Sequence, residues 1–394
     1  MWLLLCWGIS PQFSNSVCFP NYCLRQSYPE NFPYENNPQT GYCGITEVID
    51  EEVNIPISFV TKIIKGVAIT RVGFASASLF PVFAIGCYYA GIGDNLFSPL
   101  SLALTTFGIL FFHLFSNLYN DYFDVTHGTD EANTEYFNAG MDSTILQGAQ
   151  LSGGSRAVEL GLITLKGTRS LANIMFILGL FTAAGILYTS YLNTGSTSNA
   201  YYAAIIALIG VLVGYFYTAK PVRLSSRYGL GDLSIFLSFG PLLTLGTGFA
   251  IANETIQIFS TEFYNLILLG VPIGLLTTNI LFINQYPDYS SDKKVGKNHL
   301  VVLLGKKLSR WIYAINLAVT VGSLYYISEN VVNNTQASLF LYILIPVSMI
   351  YSYFLITGLF KYYNERSLIK YNIHTIYFHM LFSFIYMIIL ANFQ

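Results

Sequence analysis

The sequence predicts an all-helical integral membrane protein of about nine transmembrane helices, and three observations carry that prediction. Hydrophobic residues make up 53% of the 394-residue chain and charged residues only 10%, against about 25% charged in an ordinary soluble domain. Mean hydropathy is +0.51. Apolar stretches long enough to cross a bilayer, which takes about 20 mainly apolar residues, recur at 66–91, 98–119, 170–192, 200–217, 231–252, 263–283, 311–328, 338–359 and 372–391. All 19 Lys and Arg residues lie before or at the start of the first span, or in the loops after the second, fourth, sixth and eighth. The intervening loops, near 92–97, 193–199, 253–262 and 329–337, hold none. By the positive-inside rule this asymmetry puts the N-terminus and the basic loops on the cytoplasmic side.

The chain is expected to divide into a poorly ordered or atypical N-terminal extension, 1–55, and one multi-span domain, 56–394. The extension is rich in Asn, Pro, Ser and Tyr and holds Cys6, Cys18, Cys23 and Cys43. Their spacing matches no familiar zinc pattern, and thiols in a cytosolic tail stay reduced. The opening MWLLLCWGI has no preceding basic residue, which weakens a signal-peptide reading. Cys87 falls in an apolar span and reads as packing. No internal repeat is visible, and neither the net charge of −2 nor any basic stripe points to nucleic acid.

The second span ends in FFHLFSNLYNDYFDVTHGTD. At about 100° per residue, Asn117, Asn120, Asp121 and Asp124 share one face roughly 100° wide, while the rest of the stretch is aromatic and apolar. Gly128 and Thr129 are expected to end the helix, leaving Asp130 on the loop. His113, one turn before Asn117, is either a hydrogen-bonded interior histidine or a proton-transfer group. After the sixth span, Asn284, Asp288 and Asp292 follow at i, i+4 and i+8, then Lys293, Lys294 and Lys297. Pro287 lacks an N–H and disfavours helix at Tyr286, so the span either kinks there or ends and restarts. Either way Asp288 and Asp292 stay one turn apart.

Carboxylates at a bilayer edge repel one another and lose hydration unless a cation or a solvated cavity compensates them. Mg²⁺ is commonly held by one or two carboxylates, waters and substrate phosphates. Two such clusters on the cytoplasmic side therefore suit Mg²⁺ ions clamping a diphosphate. The lysines either touch that phosphate or simply reflect topology.

With both clusters in view, the chain resembles the UbiA superfamily of intramembrane prenyltransferases. NLYNDYFDVTHGTD is similar to that superfamily's first Asp-rich motif and NQYPDYSSDKKVGKNHLVVLLG to its second. More narrowly, NDYFD…GTD, LSGGSRAVELGLIT, YTAKP…YGLGD and DKKVGKNHLVVLLG resemble the 1,4-dihydroxy-2-naphthoate prenyltransferase branch of quinone biosynthesis. The similarity covers roughly residues 60–390.

The resemblance implies Mg²⁺-dependent transfer of a polyprenyl group from its diphosphate to a hydroxylated aromatic ring, in menaquinone biosynthesis for that branch. Asp121, Asp124, Asp288 and Asp292 are the expected catalytic Mg²⁺ ligands, with Asp130 standing in for an acidic position that is Gly128 here. Asn117, Asn120 and Asn284 would orient the carboxylates or touch the diphosphate. Arg156, in the Gly-rich GGSR, with Tyr217, Lys220, Lys293 and Lys297, would line or neutralise it. Asp232, in GLGD, either caps the fifth span or positions the acceptor. The 16% aromatic content offers dry walls for an allyl cation. The same resemblance implies a bacterial inner membrane with the site facing the cytoplasm. Rival readings are another acceptor, such as 4-hydroxybenzoate or homogentisate, and a membrane transporter or lipid-binding protein. Acidic groups gathered at one membrane face and the lack of an inverted repeat argue against transport.

Overall fold

Breaks and caps written into the chain set the order of the helices. The computed structural model describes residues 66–126 and 157–392, except 68, 94, 159, 160 and 333. The expected extension 1–55, Asp130 and Arg156 lie outside the described residues. Among those described, the helices are α1 (Ser76–Ile92), α2 (Pro99–Thr126), α3 (Leu165–Thr194), α4 (Ser198–Phe216), α5 (Leu230–Phe239), α6 (Pro241–Ile251), α7 (Thr261–Asn284), α8 (Tyr289–Lys294), α9 (Leu300–Asn330), α10 (Thr335–Tyr362) and α11 (Leu368–Leu390). They belong to one unit, Val67–Gln394.

Eight helical segments in the described residues are long and apolar enough to span a bilayer, with α5 and α6 together counting as one. The first expected span is the exception. Helix does not run on from residue 66, because Arg71 adopts a left-handed backbone (φ 51°) and Val72–Ala75 form a 3₁₀ turn. α1 keeps 17 residues, about 26 Å at 1.5 Å per residue, short of a hydrocarbon core about 30 Å thick.

Side-chain caps start several helices. Thr164 accepts from Gly167 N–H at the head of α3, Ser260 from Phe263 N–H at α7, and Asn334 from Gln336 and Ala337 N–H at α10. Each satisfies donors that have no partner within the helix. The fifth span is broken at Gly240–Pro241, with Pro241 opening α6, where its missing N–H costs nothing. Gly240 also lets backbones touch: a Cβ there would lie 2.7 Å from Gly270 O and 2.8 Å from Gly274 Cα. The spacing Gly270-xxx-Gly274 on α7 is the small-residue contact that membrane helices use for close approach.

α7 is the central helix, packing on α1, α5, α6, α9 and α11. Leu266, Leu269, Ile273 and Leu276 on it are fully buried. α2 packs mainly along α3, with Leu118 and Ala172 completely enclosed between aromatic neighbours. α7 and α2 thus stand in different packing layers, and each carries one acidic cluster at its C-terminal end.

Candidate active site

A cavity of about 450 Å³ runs between α2, α4, α5, α6 and α7, and its walls include Asn117, Asn120, Asp124, Tyr217, Asn284, Asp288, Asp292 and Lys297. The two acidic segments, far apart in sequence, meet at its polar end. Lys297 Nζ is 3.7 Å from Asp124 Oδ1 and 3.7 Å from Asp292 Oδ1. Much of the remaining wall is apolar or small, with Ile109, Phe112, Ala204, Ile206, Leu243 and Ile280 among its residues.

α7 ends at Asn284 and α8 starts at Tyr289, with Asp288 as the residue before it. The chain therefore ends and restarts at Pro287 instead of kinking within one helix. Asp292 N–H donates to Asp288 C=O at 2.8 Å and Lys297 N–H to Asp292 C=O at 2.9 Å, which keeps both aspartates on one compact turn. Asn284 Oδ1 accepts from Asn372 Nδ2 at 3.0 Å. On the other side, Asn120 Oδ1 accepts from Thr218 Oγ1 at 2.5 Å, and Asn117 Nδ2 donates to Thr70 C=O at 3.4 Å.

Asp121 does not join this wall. It is buried but absent from the cavity lining. The lining positions His113, Ser116, Asn120 and Asp124 centre at a negative angle on the helical wheel, whereas Asp121 lies at about +40° from Asn117, on the far edge of the polar arc. Lys220 and Lys293 are exposed and also off the wall; Lys293 Nζ instead lies 5.7 Å from the Tyr289 ring centre.

Tyr217 follows directly on α4 and lies half-buried on the cavity wall near the acids. Burial first, then the negative charges of Asp232, Asp124 and Asp292, holds its phenol above the ordinary range. It presents a neutral hydroxyl. Asp232 is neither a cap nor part of the wall: no side-chain cap forms at α5. Instead it accepts from Gln285 Nε2 at 2.9 Å and from Leu300 N–H at 3.4 Å, joining both ends of the acidic turn. His113 Nδ1 is 2.6 Å from Ser78 Oγ, while its Nε2 is buried without a hydrogen bond and the residue lines the cavity.

Sequence reasoning misses, among other wall residues, Arg71, Gln285 and His299. Arg71 is placed there by its left-handed backbone, which leaves no periodicity to read. Gln285 and His299 lie within the second motif, but helical spacing gives them no common face with its aspartates.

The donor set fits a hard divalent cation. Carboxylate and amide oxygens surround the polar end, and oxygen donors of this kind select Mg²⁺ over softer metals. Asp124 Oδ1 is buried without a hydrogen bond, and the Lys297 ammonium stands beside it. Among the described residues no three His, Cys, Asp or Glu side chains converge to hold a metal alone.

Residues 78–379 match the UbiA prenyltransferase family. The chain belongs to that family. It is 33% identical over 220 residues to 1,4-dihydroxy-2-naphthoate octaprenyltransferase of Escherichia coli, covering 55% of this chain and 62% of that protein. The Bacillus subtilis protein of the same name is 26% identical over 254 residues, 64% of this chain and 69% of its own length. In fold, the chain is similar to a UbiA homolog from Archaeoglobus fulgidus whose structure holds DMAPP and Mg²⁺. The TM-score is 0.54 at 16% identity, over 82% of this chain and 99% of that one. This UbiA-family chain is accordingly a membrane-embedded prenyltransferase, as its composition and motifs imply.

Proposed function

We propose that this protein transfers a polyprenyl group from its diphosphate to 1,4-dihydroxy-2-naphthoate in a Mg²⁺-dependent reaction of menaquinone biosynthesis. The observation that carries the reading is the sharing of Lys297 by Asp124 and Asp292 at the polar end of a mainly apolar cavity. The names of the bacterial relatives supply the acceptor.

Asp124, Asp288 and Asp292 would hold Mg²⁺, with Asn120 and Asn284 beside them. Asp130 and Arg156 enter on sequence position alone. When bound, Mg²⁺ supplies Lewis-acid stabilisation of the charge that develops on the leaving diphosphate. Lys297 adds a positive charge at the same place, and Arg71 a second on the cavity wall. The allylic C–O bond breaks with its electron pair leaving on the diphosphate. The acceptor ring carbon then bonds to the allylic carbon, and the ring regains aromaticity by releasing carbon dioxide from its carboxylate. The apolar wall accommodates the isoprenoid and excludes the water that would quench an allyl cation.

The arginine and lysine asymmetry supports a site that opens to the cytoplasm, and the bacterial relatives support a bacterial inner membrane. The test is incubation of membranes holding this protein with labelled geranylgeranyl diphosphate, Mg²⁺ and a panel of aromatic acceptors. Labelled lipid product with the naphthoate alone, lost in EDTA, is the expected result. Product with another ring would replace the acceptor, and no product with any ring would overturn the reading.

A further inference from the structure

The second acidic motif sits on a weak element. α8 has six residues, too few to hold a helix by itself, and Lys293 and Lys294 on it are exposed. Asp292 nevertheless has to keep one oxygen at a fixed place beside Asp124. What holds it comes from the next helix. His299 is the residue before α9, is 5% exposed and lies on the cavity wall.

Both of its ring nitrogens are engaged. Val302 N–H donates to Nδ1 at 3.3 Å, so Nδ1 carries the lone pair and Nε2 the proton. Nε2–H then donates to Asp292 Oδ2 at 3.1 Å. The carboxylate is thereby divided. Oδ2 is tied to the helical segment Leu300–Leu304, which precedes the backbone break at Gly305 (φ 76°) inside α9, while Oδ1 turns toward the Lys297 ammonium at 3.7 Å.

We propose that His299 is a positioning residue: it ties Asp292 to the first segment of α9, which the fully buried Val301 anchors ahead of the break at Gly305, and so would aim Oδ1 at the cation site. Asp232 supports the same junction from behind by accepting from Leu300 N–H and Gln285 Nε2. Outer hydrogen bonds of this kind orient a ligand and typically change metal affinity about 10–100-fold when removed. The inference rests on the reading of Asp292 as a metal-binding side chain.

Two substitutions separate the two bonds. His299→Asn keeps an acceptor near the position of Nδ1 and is a favoured N-cap, but it is too short to reach Asp292. His299→Gln places an amide N–H near the position of Nε2 and gives up the ring nitrogen that caps α9. The full-length protein in detergent is titrated with Mn²⁺ plus inorganic pyrophosphate and followed by electron paramagnetic resonance. Melting temperature is measured in EDTA, and prenyl transfer is assayed across a Mg²⁺ series.

His299→Asn is expected to melt near the wild type yet bind Mn²⁺ about tenfold more weakly or worse, with the half-saturating Mg²⁺ rising in step. His299→Gln is expected to melt lower and bind Mn²⁺ nearly as the wild type does. If His299→Asn binds Mn²⁺ like the wild type, the histidine is only a cap and the proposal fails, whatever the transfer assay gives. The proposal also fails if His299→Gln loses Mn²⁺ binding as fully as His299→Asn. Mn²⁺ binding that follows this pattern without any prenyl transfer would uphold the positioning role and overturn the proposed function instead. A wild type that binds no Mn²⁺ with pyrophosphate would overturn both.

Discussion

Asp124 and Asp292 share one ammonium: Lys297 Nζ stands 3.7 Å from an oxygen of each. One carboxylate comes from the C-terminal end of α2 and the other from α8, so the two packing layers of the bundle are tied at this point. A buried charge left alone is costly, and the lysine offsets the repulsion between the two acids. In the proposed reaction the same two carboxylates would hold the divalent cation.

Either carboxylate should therefore be indispensable. Asp124→Asn and Asp292→Asn are each expected to lower prenyl transfer by about 10²–10³-fold or more, the scale of losing one preorganised electrostatic contact in a dry site. Both variants should still insert and run as monodisperse protein in detergent, since the amide keeps the size of the side chain. The check is labelled-prenyl transfer at saturating Mg²⁺ beside a size-exclusion profile. Wild-type rates from either variant would remove that residue from the site.

Asp121 gives the contrasting case. It is buried yet off the cavity wall, so Asp121→Asn should leave the half-saturating Mg²⁺ concentration unchanged. Any defect should appear as a lower melting temperature. A Mg²⁺ requirement raised as far as in Asp124→Asn would place Asp121 among the ligands after all.

The contrast between Asp121 and Asp124 marks how much of this protein is legible in its sequence. Hydrophobic span lengths and the one-sided lysines and arginines are enough for the membrane bundle, because bilayer thickness and topology act on composition directly. The helical wheel puts Asn117, Asn120 and Asp124 on one face, and the cavity does run along it. Periodicity cannot find the edge of that face, because where a wall ends depends on which helix packs beside it. That is why the wheel groups Asp121 with the others. The family resemblance groups Lys220 with the site and nearness in sequence groups Lys293, yet both side chains are exposed and off the cavity wall. Arg71, Gln285 and His299 escape for the opposite reason: turns place them, and turns carry no repeat. Asp232 reads from sequence as a cap or an acceptor contact, since a bond to Gln285, 53 residues away, leaves no local trace.

The close approach of α5 and α6 to α7 should be intolerant of added volume. A Cβ at Gly270 would meet Gly240 C at 2.6 Å, and one at Gly274 would meet Gly240 Cα at 2.8 Å. These neighbours are backbone, so neither can rotate away. Gly270→Leu is expected to destabilise the protein by about 1–3 kcal/mol or more, read as a lower melting temperature and a larger aggregated fraction in detergent. Gly322 is the control, because a Cβ added there would meet nothing within 4 Å. Gly322→Ala should express and melt like the wild type.

Tyr217 allows a prediction about pH whose sign follows from its surroundings. Its phenol is raised above the ordinary range by burial first and by Asp232, Asp124 and Asp292 after it. The folded protein therefore holds this proton at a pH where the unfolded chain, titrating near an ordinary phenol value of about 10, has begun to lose it. The stability linked to Tyr217 is fully present below that pH and is lost as pH rises beyond it. Between pH 6 and 9 the side chain stays a neutral hydroxyl, able to donate a hydrogen bond but not to act as a phenolate base. Tyr217→Phe should accordingly lower the transfer rate by a constant factor across that range and leave the shape of the pH–rate profile unchanged. It should also soften the loss of stability above pH 10. The measurement is kcat/KM for prenyl diphosphate at half-unit steps of pH for both proteins, with thermal melts at the alkaline end. A limb of the rate profile that disappears in Tyr217→Phe would mean that the phenol ionises during turnover, against the charge environment that holds its proton.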